Sequence, residues 1–281
     1  MKVTIIGASG FIGSHLSAAL RARGDEVTTA SLRDPAAAAR ACEGADALVN
    51  LAGETVAQRW TPEAKAKIRA SRVDATRSLL QNMESIAAKP KTYVSASAIG
   101  YYGTSLEGSF DETSPPGKDF LAGVCVASEA EADRASTLGM RVAKLRSGLV
   151  LGTDGGALAK MLPVFKAGAG GVVASGKQWH SWIHIDDEIG VYLHAIDGTD
   201  GALDATAPYP VRNAEFTQAL AAALRRPAVL PVPAFALKLL LGEGASVATE
   251  GQNVLPNRTL ATGYRFKYET IDAAFAALLE S

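Results

Sequence analysis

The amino-acid sequence predicts an α/β fold in which helices cover both faces of a parallel sheet, with a smaller, mostly helical lobe towards the C-terminus. Three observations indicate this fold. Short apolar runs alternate with helical stretches through the first half of the chain. The chain has 281 residues, of which 48% are hydrophobic and 20% charged, so it can bury a large core. Beyond Gly152, glycine and proline become frequent and the regular alternation stops.

The pattern predicts the elements in order. Apolar runs predict strands at 3–6, 26–30, 46–51, 92–95 and within 141–151. Apolar periodicity, N-cap residues and prolines at first helical positions predict helices at 11–23, 35–42, 61–89 and 120–138. In the second half we expect returns to the sheet at 182–185 and 202–206, and helices at 213–224, 235–241 and 271–279. The predicted domains are therefore a nucleotide-binding domain at 1–151 and 182–206, and a substrate lobe at 152–181 and 207–281.

Composition excludes several classes of function. The net charge is -1 and no basic stretch is present, so we expect neither a nucleic-acid nor a membrane partner. No apolar run approaches the ~20 residues that span a bilayer, and the short run at 3–6 does not resemble a signal peptide. Cys42 and Cys125 lie far apart, so neither a disulfide nor a metal site is expected. The predicted location is the cytoplasm.

A glycine loop joins the first predicted strand to the first predicted helix. It reads Gly-Ala-Ser-Gly-Phe-Ile-Gly over 7–13. Glycine permits the tight turn and lets a pyrophosphate approach the main chain, and the free N–H groups of the helix then face the phosphates. This context predicts a Rossmann-type, doubly wound sheet that binds a dinucleotide. The expected contacts are Gly7, Ser9, Gly10, Phe11, Ile12 and Gly13.

The end of the second strand favours NADP over NAD. An NAD site usually places an acidic residue there, whereas this chain reads Ser31-Leu32-Arg33, and Arg33 can meet a 2′-phosphate. The alternative is that Arg33 is only a solvated charge and that NAD binds. Residues 34–45 are also too few for a helix, a further strand and a connection. We therefore expect the usual third strand, an edge strand, to be absent.

Further segments carry a resemblance to a known family. The spacing G-x-x-G-x-x-G is followed by Asn50-Leu51-Ala52-Gly53, by Ser95-Ala96-Ser97 before Tyr101-Tyr102-Gly103, and by Trp182-Ile183-His184-Ile185-Asp186-Asp187. In these segments the chain resembles the extended short-chain dehydrogenase/reductase superfamily. The resemblance implies that Leu51, Ala52 and Gly53 contact the cofactor.

Other segments narrow the resemblance. Arg59-Trp60-Thr61, Asp154-Gly155-Gly156 and the run from Pro208 to Asn213 are similar to an uncharacterised NAD-dependent epimerase/dehydratase-like subfamily. That subfamily ends in a small domain of unknown function, which residues 231–279 resemble. These segments extend over nearly the whole chain. They do not name a substrate, so the reaction must be argued from the site.

The catalytic residues of that superfamily are only partly present. Its enzymes use a serine together with a Tyr-x-x-x-Lys pair on a helix, and Ser97 matches the serine. Leu121 and Cys125 stand where the tyrosine and lysine belong. Tyr101 and Tyr102 follow the serine strand and are the candidate replacements, with packing as their alternative role.

The second lobe offers polar and aromatic side chains for a substrate, with packing as an equally valid explanation. The candidates are Gln178, Trp179, His180, Trp182 and Arg212. Arg212 precedes a helix and can hold a carboxylate or phosphate. The resemblance implies that His180 stands about where the nucleotide-sugar enzymes of the superfamily have an arginine that binds the substrate diphosphate. The replacement of that arginine argues against a nucleotide-sugar substrate.

Two functions from different classes remain. The first is an NADP(H)-dependent oxidoreductase or epimerase-like enzyme for an unidentified small polar molecule, in which Ser97 would hydrogen-bond the reacting oxygen and either Tyr101 or water would supply the proton. The second is a non-catalytic NADP-binding sensor or assembly module, which the missing Tyr–Lys pair favours. Superfamily analogy also allows a homodimer through the helices near 61–88 and 118–138.

Overall fold

The computed structural model describes residues 1–279. The strands are β1 (Lys2–Ile6), β2 (Glu26–Ala30), β3 (Ala47–Asn50), β4 (Thr92–Ala98), β5 (Ser109–Phe110), β6 (Arg141–Ser147), β7 (Leu149–Leu151), β8 (Trp179–His180), β9 (Trp182–His184), β10 (Gly201–Ala205), β11 (Val211–Arg212) and β12 (Asn253–Val254). The helices are α1 (Phe11–Ala22), α2 (Pro35–Ala41), α3 (Pro62–Ala70), α4 (Val73–Met83), α5 (Phe120–Asp133), α6 (Gly156–Lys166), α7 (Ile185–Asp197), α8 (Asn213–Leu224), α9 (Ala234–Leu241), α10 (Ser246–Thr249), α11 (Asn257–Ala261) and α12 (Ile271–Leu279).

Six of these strands form one parallel sheet in the order β10-β6-β4-β3-β1-β2. The chain starts at β1, moves outward to β2, crosses back to β3 on the other side of β1, and continues through β4 and β6 to β10. The direction of winding therefore reverses between β1 and β3. In open parallel sheets, ligands bind at the carboxyl ends of the strands at such a reversal.

Strand β2 is the outer edge of the sheet, as the short interval after it predicted. Within residues 1–279 no further strand pairs with it. The chain instead returns through the short helix α2, whose first turn is closed by Asp34, since the Asp34 side chain accepts a hydrogen bond from Ala37 N–H at 2.9 Å. The usual third strand is thus absent, and Thr28 and Thr29 of β2 stay exposed.

Helices cover both faces of the sheet, as predicted for a doubly wound fold. On one face, α1 and α7 bury Leu16, Leu20 and Tyr192 against the apolar side chains of β1, β3 and β6. On the other face, α2, α4 and α5 pack beside one another and enclose a second apolar cluster that includes Leu79 and Met83. All four residues of β3 are buried, which is typical of an inner parallel strand covered on both faces.

One predicted return to the sheet is wrong. We expected residues 182–185 to rejoin the main sheet, but β9 pairs only with β7, in a separate two-stranded sheet. The chain leaves the main sheet at Gly148, whose main chain passes so close to Ser181 that a side chain would lie 2.2 Å from the Ser181 carbonyl oxygen. Leu149 N–H then donates to that same oxygen at 2.8 Å, which starts the small sheet. In the second half of the described chain, β10 is the strand that rejoins the main sheet.

The remaining helices agree closely with the sequence patterns. The helical region at 61–89 consists of two helices, α3 and α4, with Ser71 and Arg72 between them. The helix predicted at 120–138 is α5 followed by a 3₁₀ turn at Arg134–Leu138. The helices predicted at 213–224, 235–241 and 271–279 are α8, α9 and α12.

The second half of the chain has a core of its own. It is formed by α6, α8 and α12 around Trp182, Phe165, Phe216 and Phe275. Two further pairs of short strands, β8 with β11 and β5 with β12, connect loop segments by main-chain hydrogen bonds. No helix within residues 1–279 is both long enough and apolar enough to cross a membrane.

Candidate functional site

The three glycines of the loop at 7–13 differ in whether the fold itself requires glycine at their positions. Gly7 has a positive φ of 86°, and a side chain there would lie 3.0 Å from the main chain of Leu51. A side chain at Gly13 would lie 2.3 Å from the carbonyl oxygen of Gly7. A side chain at Gly10 would meet only that oxygen, at 3.4 Å, which is ordinary contact. Packing therefore requires glycine at the first and third positions but not at Gly10, where the second glycine of a dinucleotide loop lets the pyrophosphate approach.

Helix α1 begins at this loop with its N–H groups free. Its N-cap is Gly10, so no side chain caps the first turn, and the first turn contains no acidic residue. By contrast, the side chains of Asp34, Thr61 and Asp119 cap α2, α3 and α5. Uncapped N–H groups and the positive end of the helix dipole together form a site for an anion.

A cleft of about 610 Å³ runs from this loop along the carboxyl end of β2. Its walls include Gly7 and Ser9 from the loop, Ser31 after β2 and Ala52 after β3. Ser14, Ser17 and Arg21 of α1 form another wall, because positions three and four apart share one face of a helix. The cleft thus collects polar groups beside the uncapped helix end.

Two arginines stand near the β2 end of the cleft. Arg21 lines the cleft, is exposed, and forms no ion pair with any residue in 1–279. Arg33, the residue chosen from the sequence, is also exposed, and its main-chain N–H donates to Ser31 Oγ at 3.3 Å. Arg21 was not predicted from the sequence as a residue of the cleft. The polar residues Ser14, Ser17 and Arg21 recur at helical spacing, and this pattern was a signal that they share one face of α1.

Asn50, at the end of β3, fixes the segment that the resemblance assigned to the cofactor. Its side-chain amide donates to Thr76 Oγ1 at 3.3 Å and to the Tyr93 hydroxyl at 3.2 Å, and its oxygen accepts from Ala52 N–H at 3.2 Å. Leu51 and Ala52 therefore pass close to Gly7, while Gly53 lies beneath the guanidinium of Arg72.

Ser97 lies at the end of β4 and belongs to a buried polar network. Its hydroxyl donates to Glu129 Oε1 at 2.7 Å. Glu129 and Arg146 form a two-point ion pair, in which Nε and Nη2 of Arg146 donate to the two carboxylate oxygens at 2.9 and 2.8 Å. Both charged side chains are less than a tenth exposed. This pair was not predicted from the sequence, since it joins α5 to β6 and reaches Ser97 on a third element, β4.

The two tyrosines after Ser97 have different surroundings. The Tyr101 ring stacks against the Arg146 guanidinium, with 3.4 Å from its carbon to the ring centre, and the Tyr101 hydroxyl donates to no side chain in residues 1–279. Tyr102 is buried, and its hydroxyl donates to the Asp204 carboxylate at 2.8 Å while accepting from Arg146 Nη1. Burial also raises the pKa of Tyr102, so this hydroxyl keeps its proton inside the network. We leave Tyr102 out of the proposed catalytic set for this reason.

Leu121 and Cys125 provide no replacement for the Tyr–Lys pair. Both lie on α5 beside Gly100, where a side chain would meet Leu121 Cβ at 3.5 Å and Cys125 Sγ at 4.0 Å. Burial, followed by the neighbouring Glu129 charge, raises the pKa of the Cys125 thiol to about 11. At neutral pH this thiol is therefore protonated and unreactive.

The substrate candidates of the second lobe lie in two environments. Gln178 and Trp182 are buried: the Gln178 amide donates to Val173 O at 3.0 Å, and the Trp182 indole donates to Tyr209 O at 3.2 Å. For these two residues the packing role applies, and they present little surface to a ligand. His180 packs against Phe216, and burial lowers its pKa to about 4, so it is neutral and cannot neutralise an anion.

Trp179 and Arg212 form the more accessible part of this lobe. The Arg212 guanidinium stacks on the Trp179 ring at 3.7 Å and donates to the carbonyl oxygens of Leu106 and Lys177. Arg212 also lines a second cavity of about 330 Å³ at the start of α8, together with Lys177. Nowhere in the described chain do three or more His, Cys, Asp or Glu side chains form a group that can hold a metal ion.

The parallel sheet, the three-glycine turn and the uncapped helix define a dinucleotide-binding fold of the Rossmann class. Comparison with known proteins identifies the family. The model of the NAD dependent epimerase/dehydratase family matches residues 3–205, and that of a domain of unknown function (DUF1731) matches residues 232–278. The chain belongs to the NAD dependent epimerase/dehydratase family and ends in that domain, as the resemblance in the sequence predicted.

Two relatives match along nearly the whole of this chain. The chain is 43% identical to the chloroplastic homologue of epimerase family protein SDR39U1 from Arabidopsis thaliana, over 100% of this chain and 87% of the relative. It is 38% identical to epimerase family protein SDR39U1 from Homo sapiens, over 99% of this chain and 100% of the relative.

The chain is also similar to solved structures of epimerase family proteins. The crystal structure of human SDR39U1 (isoform 2) with NADPH superimposes with a TM-score of 0.93 at 36% identity and covers 100% of both chains. A UDP-glucose 4-epimerase from Thermus thermophilus, in complex with NAD, has a TM-score of 0.79 over 99% of this chain and 97% of that one. At 21% identity the latter likeness shows the fold alone.

Proposed function

We propose that this chain binds NADP(H) and acts as an oxidoreductase or epimerase-like enzyme on a small polar molecule. The observation that carries the proposal is Gly10: packing does not require glycine there, whereas a bound diphosphate does. The uncapped N–H groups of α1 would meet the diphosphate. NADPH in the human SDR39U1 structure supports the choice of cofactor.

Arg21 and Arg33 would distinguish NADP(H) from NAD(H). Both are exposed cations beside Ser31, at the strand end where the 2′-phosphate of the adenosine ribose lies in this fold. The absent third strand leaves this side of the site open to solvent, so charge rather than enclosure would hold the phosphate.

The reaction would use side chains linked through Arg146. When bound, the nicotinamide supplies or accepts a hydride. In the oxidising direction, Ser97 would accept the substrate's hydroxyl proton while passing its own proton to Glu129 Oε1, the oxygen that it already contacts at 2.7 Å. In the reducing direction, the two protons would return along the same path. The free hydroxyl of Tyr101 would donate a hydrogen bond to the reacting oxygen in both directions.

The substrate would lie between this network and the second lobe. We propose that residues 1–151 and 182–206 form the nucleotide-binding domain and that 152–181 and 207–281 form the substrate lobe. Trp179 and Arg212 are the side chains of that lobe that we assign to substrate binding, because both remain partly accessible and Arg212 carries a charge.

One observation favours a second function. The chain has no Tyr–Lys pair, and the Cys125 thiol in the lysine position is buried and protonated. A non-catalytic NADP-binding sensor or assembly module needs neither the tyrosine nor the lysine. It would bind the cofactor equally well but turn over no substrate.

Substrate-dependent oxidation of NADPH across a panel of small carbonyl compounds separates the two functions. For an enzyme we expect turnover by the wild type, and loss of at least roughly 100-fold in Ser97→Ala and Tyr101→Phe, the usual effect of removing a group that transfers the proton or binds the reacting oxygen. Tyr209→Phe is the matched control, since this tyrosine is 59% exposed and outside the network. Turnover that survives in both site variants would refute the assignment, and no turnover with any compound would favour the module.

Calorimetry tests the cofactor. We expect NADPH to bind more tightly than NADH, and Arg21→Met and Arg33→Ala each to lower NADPH affinity by roughly 10-fold without changing NADH affinity. Equal affinities for the two nucleotides, unchanged in both variants, would remove the case for a 2′-phosphate contact.

A further inference from the structure

Arg72 lies between α3 and α4, and its guanidinium lies against Gly53, the residue that follows Ala52 of the cleft wall. Its Nη1 donates to the carbonyl oxygens of Glu54 at 2.8 Å and Ile68 at 3.3 Å. Among residues 1–279, no carboxylate forms an ion pair with it, and Nε and Nη2 have no hydrogen-bond acceptor. A partly buried cation therefore has two donor groups without a protein partner, an arrangement that a ligand with oxygen acceptors would satisfy.

Gly53 shows where the guanidinium points. A side chain at Gly53 would lie 2.8 Å from Arg72 Cζ and 2.9 Å from Nη2. Gly53 does not have a positive φ, so its main chain does not itself require glycine. The absent side chain instead makes room for the guanidinium directly beyond the carboxyl end of β3.

The strand order shows which part of a bound dinucleotide would lie there. Along the sheet edge, Arg21 stands at β2, the glycine loop at β1, and Arg72 beside Gly53, just after β3. With the adenosine at β2 and the diphosphate at β1, the nicotinamide half extends towards β3 and β4. Its ribose carries two adjacent hydroxyl oxygens, which the parallel N–H groups of a guanidinium can bind together.

We propose that Arg72 is a cofactor-positioning residue, which holds the nicotinamide ribose through Nε–H and Nη2–H from the turn between α3 and α4. This inference rests on the proposed function, since it requires that NADP(H) binds. The proposed role of Arg72 also explains the glycine at position 53, because the methyl group of an alanine there would collide with the guanidinium.

The test compares NADPH with 2′,5′-ADP, which has the adenosine phosphates but no nicotinamide ribose. We expect Arg72→Met to weaken NADPH binding roughly 10- to 100-fold, the usual effect of losing a charged hydrogen-bond donor, and to leave 2′,5′-ADP affinity unchanged. Arg72→Lys keeps a charge but loses the fork of two donors, so its NADPH affinity should fall between wild type and Arg72→Met. Arg69→Met, one turn earlier and exposed, is the matched control.

Each other result overturns an identifiable part of the reasoning. Unchanged NADPH affinity in Arg72→Met, or an equal loss for both ligands, would show that Arg72 only supports the local fold. Full affinity in Arg72→Met together with loss in Arg69→Met would place the contact elsewhere. If the wild type bound neither nucleotide, the proposed function itself would fail, and the role of Arg72 with it.

Discussion

Replacing Gly10 by alanine separates the folding role of the glycine loop from its binding role. Gly10 has φ -77° and ψ 171°, which alanine adopts without strain, and the new methyl group would lie 3.4 Å from its nearest protein neighbour, the Gly7 carbonyl oxygen. The main chain therefore need not move. As N-cap, alanine is less favourable than glycine by at most about 1 kcal/mol. We expect the free energy of unfolding to change by no more than this.

Binding should respond very differently. The methyl group would occupy open space beside the uncapped end of α1, where the diphosphate must approach the main chain. Displacing the diphosphate would lengthen one or two charge-assisted hydrogen bonds, each contributing about 1.5–3 kcal/mol. NADPH affinity should accordingly fall by roughly 10- to 100-fold for each bond lost.

The assay is calorimetric titration with NADPH together with thermal unfolding of the apo protein. Gly123→Ala is the matched control: Gly123 lies inside α5, nothing is within 4 Å of the added methyl group, and the helix should become more stable by about 1 kcal/mol with unchanged binding. Unchanged NADPH affinity in Gly10→Ala would refute the argument from Gly10, and so would a loss of affinity explained by unfolding.

Three further perturbations test other parts of the structure. Gly13→Ala places a methyl group 2.3 Å from the main-chain oxygen of Gly7, so it should destabilise the fold by about 1–3 kcal/mol in denaturant unfolding; an unchanged midpoint would contradict this geometry. Burial raises the pKa of Glu188 to about 8, so the folded state binds this proton more tightly than the unfolded chain, and stability should fall from about pH 4.5 to pH 8 at the slope of one proton. Glu188→Gln should remove that slope from melting curves, and a slope unchanged in the variant would assign it to other groups. The double variant Glu129→Leu/Arg146→Met should fold at least as stably as the wild type yet lose turnover, whereas retained turnover would exclude the network from the reaction.

The strand order illustrates what the sequence can predict. The short interval 34–45 predicted that β2 is an edge strand, because chain length alone limits what fits there. The pairing of residues 182–184 was not predictable in the same way. A short buried run such as Trp-Ile-His fits a strand of the main sheet and a strand of the small sheet equally well. Here β9 pairs with β7 where Gly148 approaches Ser181, and these two residues are distant in sequence.

The site shows the same division. The glycine loop and Ser97 could be proposed as site residues because each belongs to a short local sequence motif. Glu129 and Arg146 could not, since their partnership depends on β4, α5 and β6 meeting. Trp182 was an ambiguous candidate from the sequence: an indole is large and apolar with one donor, so it serves a ligand surface and a core equally well, and here its N–H is satisfied by Tyr209 O.

The buried ion pair under Ser97 is the strongest reason to prefer an enzyme over a binding module. A buried Arg–Glu pair generally adds little net stability, because desolvation of the two charges offsets their attraction, and apolar residues of similar volume often do as well. Stability alone therefore gives little reason for the Glu129–Arg146 pair. A module that only binds NADP(H) would not need a carboxylate in contact with Ser97 or a guanidinium stacked on Tyr101. The site that we propose would use both groups, because the carboxylate can receive a proton through the serine while the arginine balances its charge.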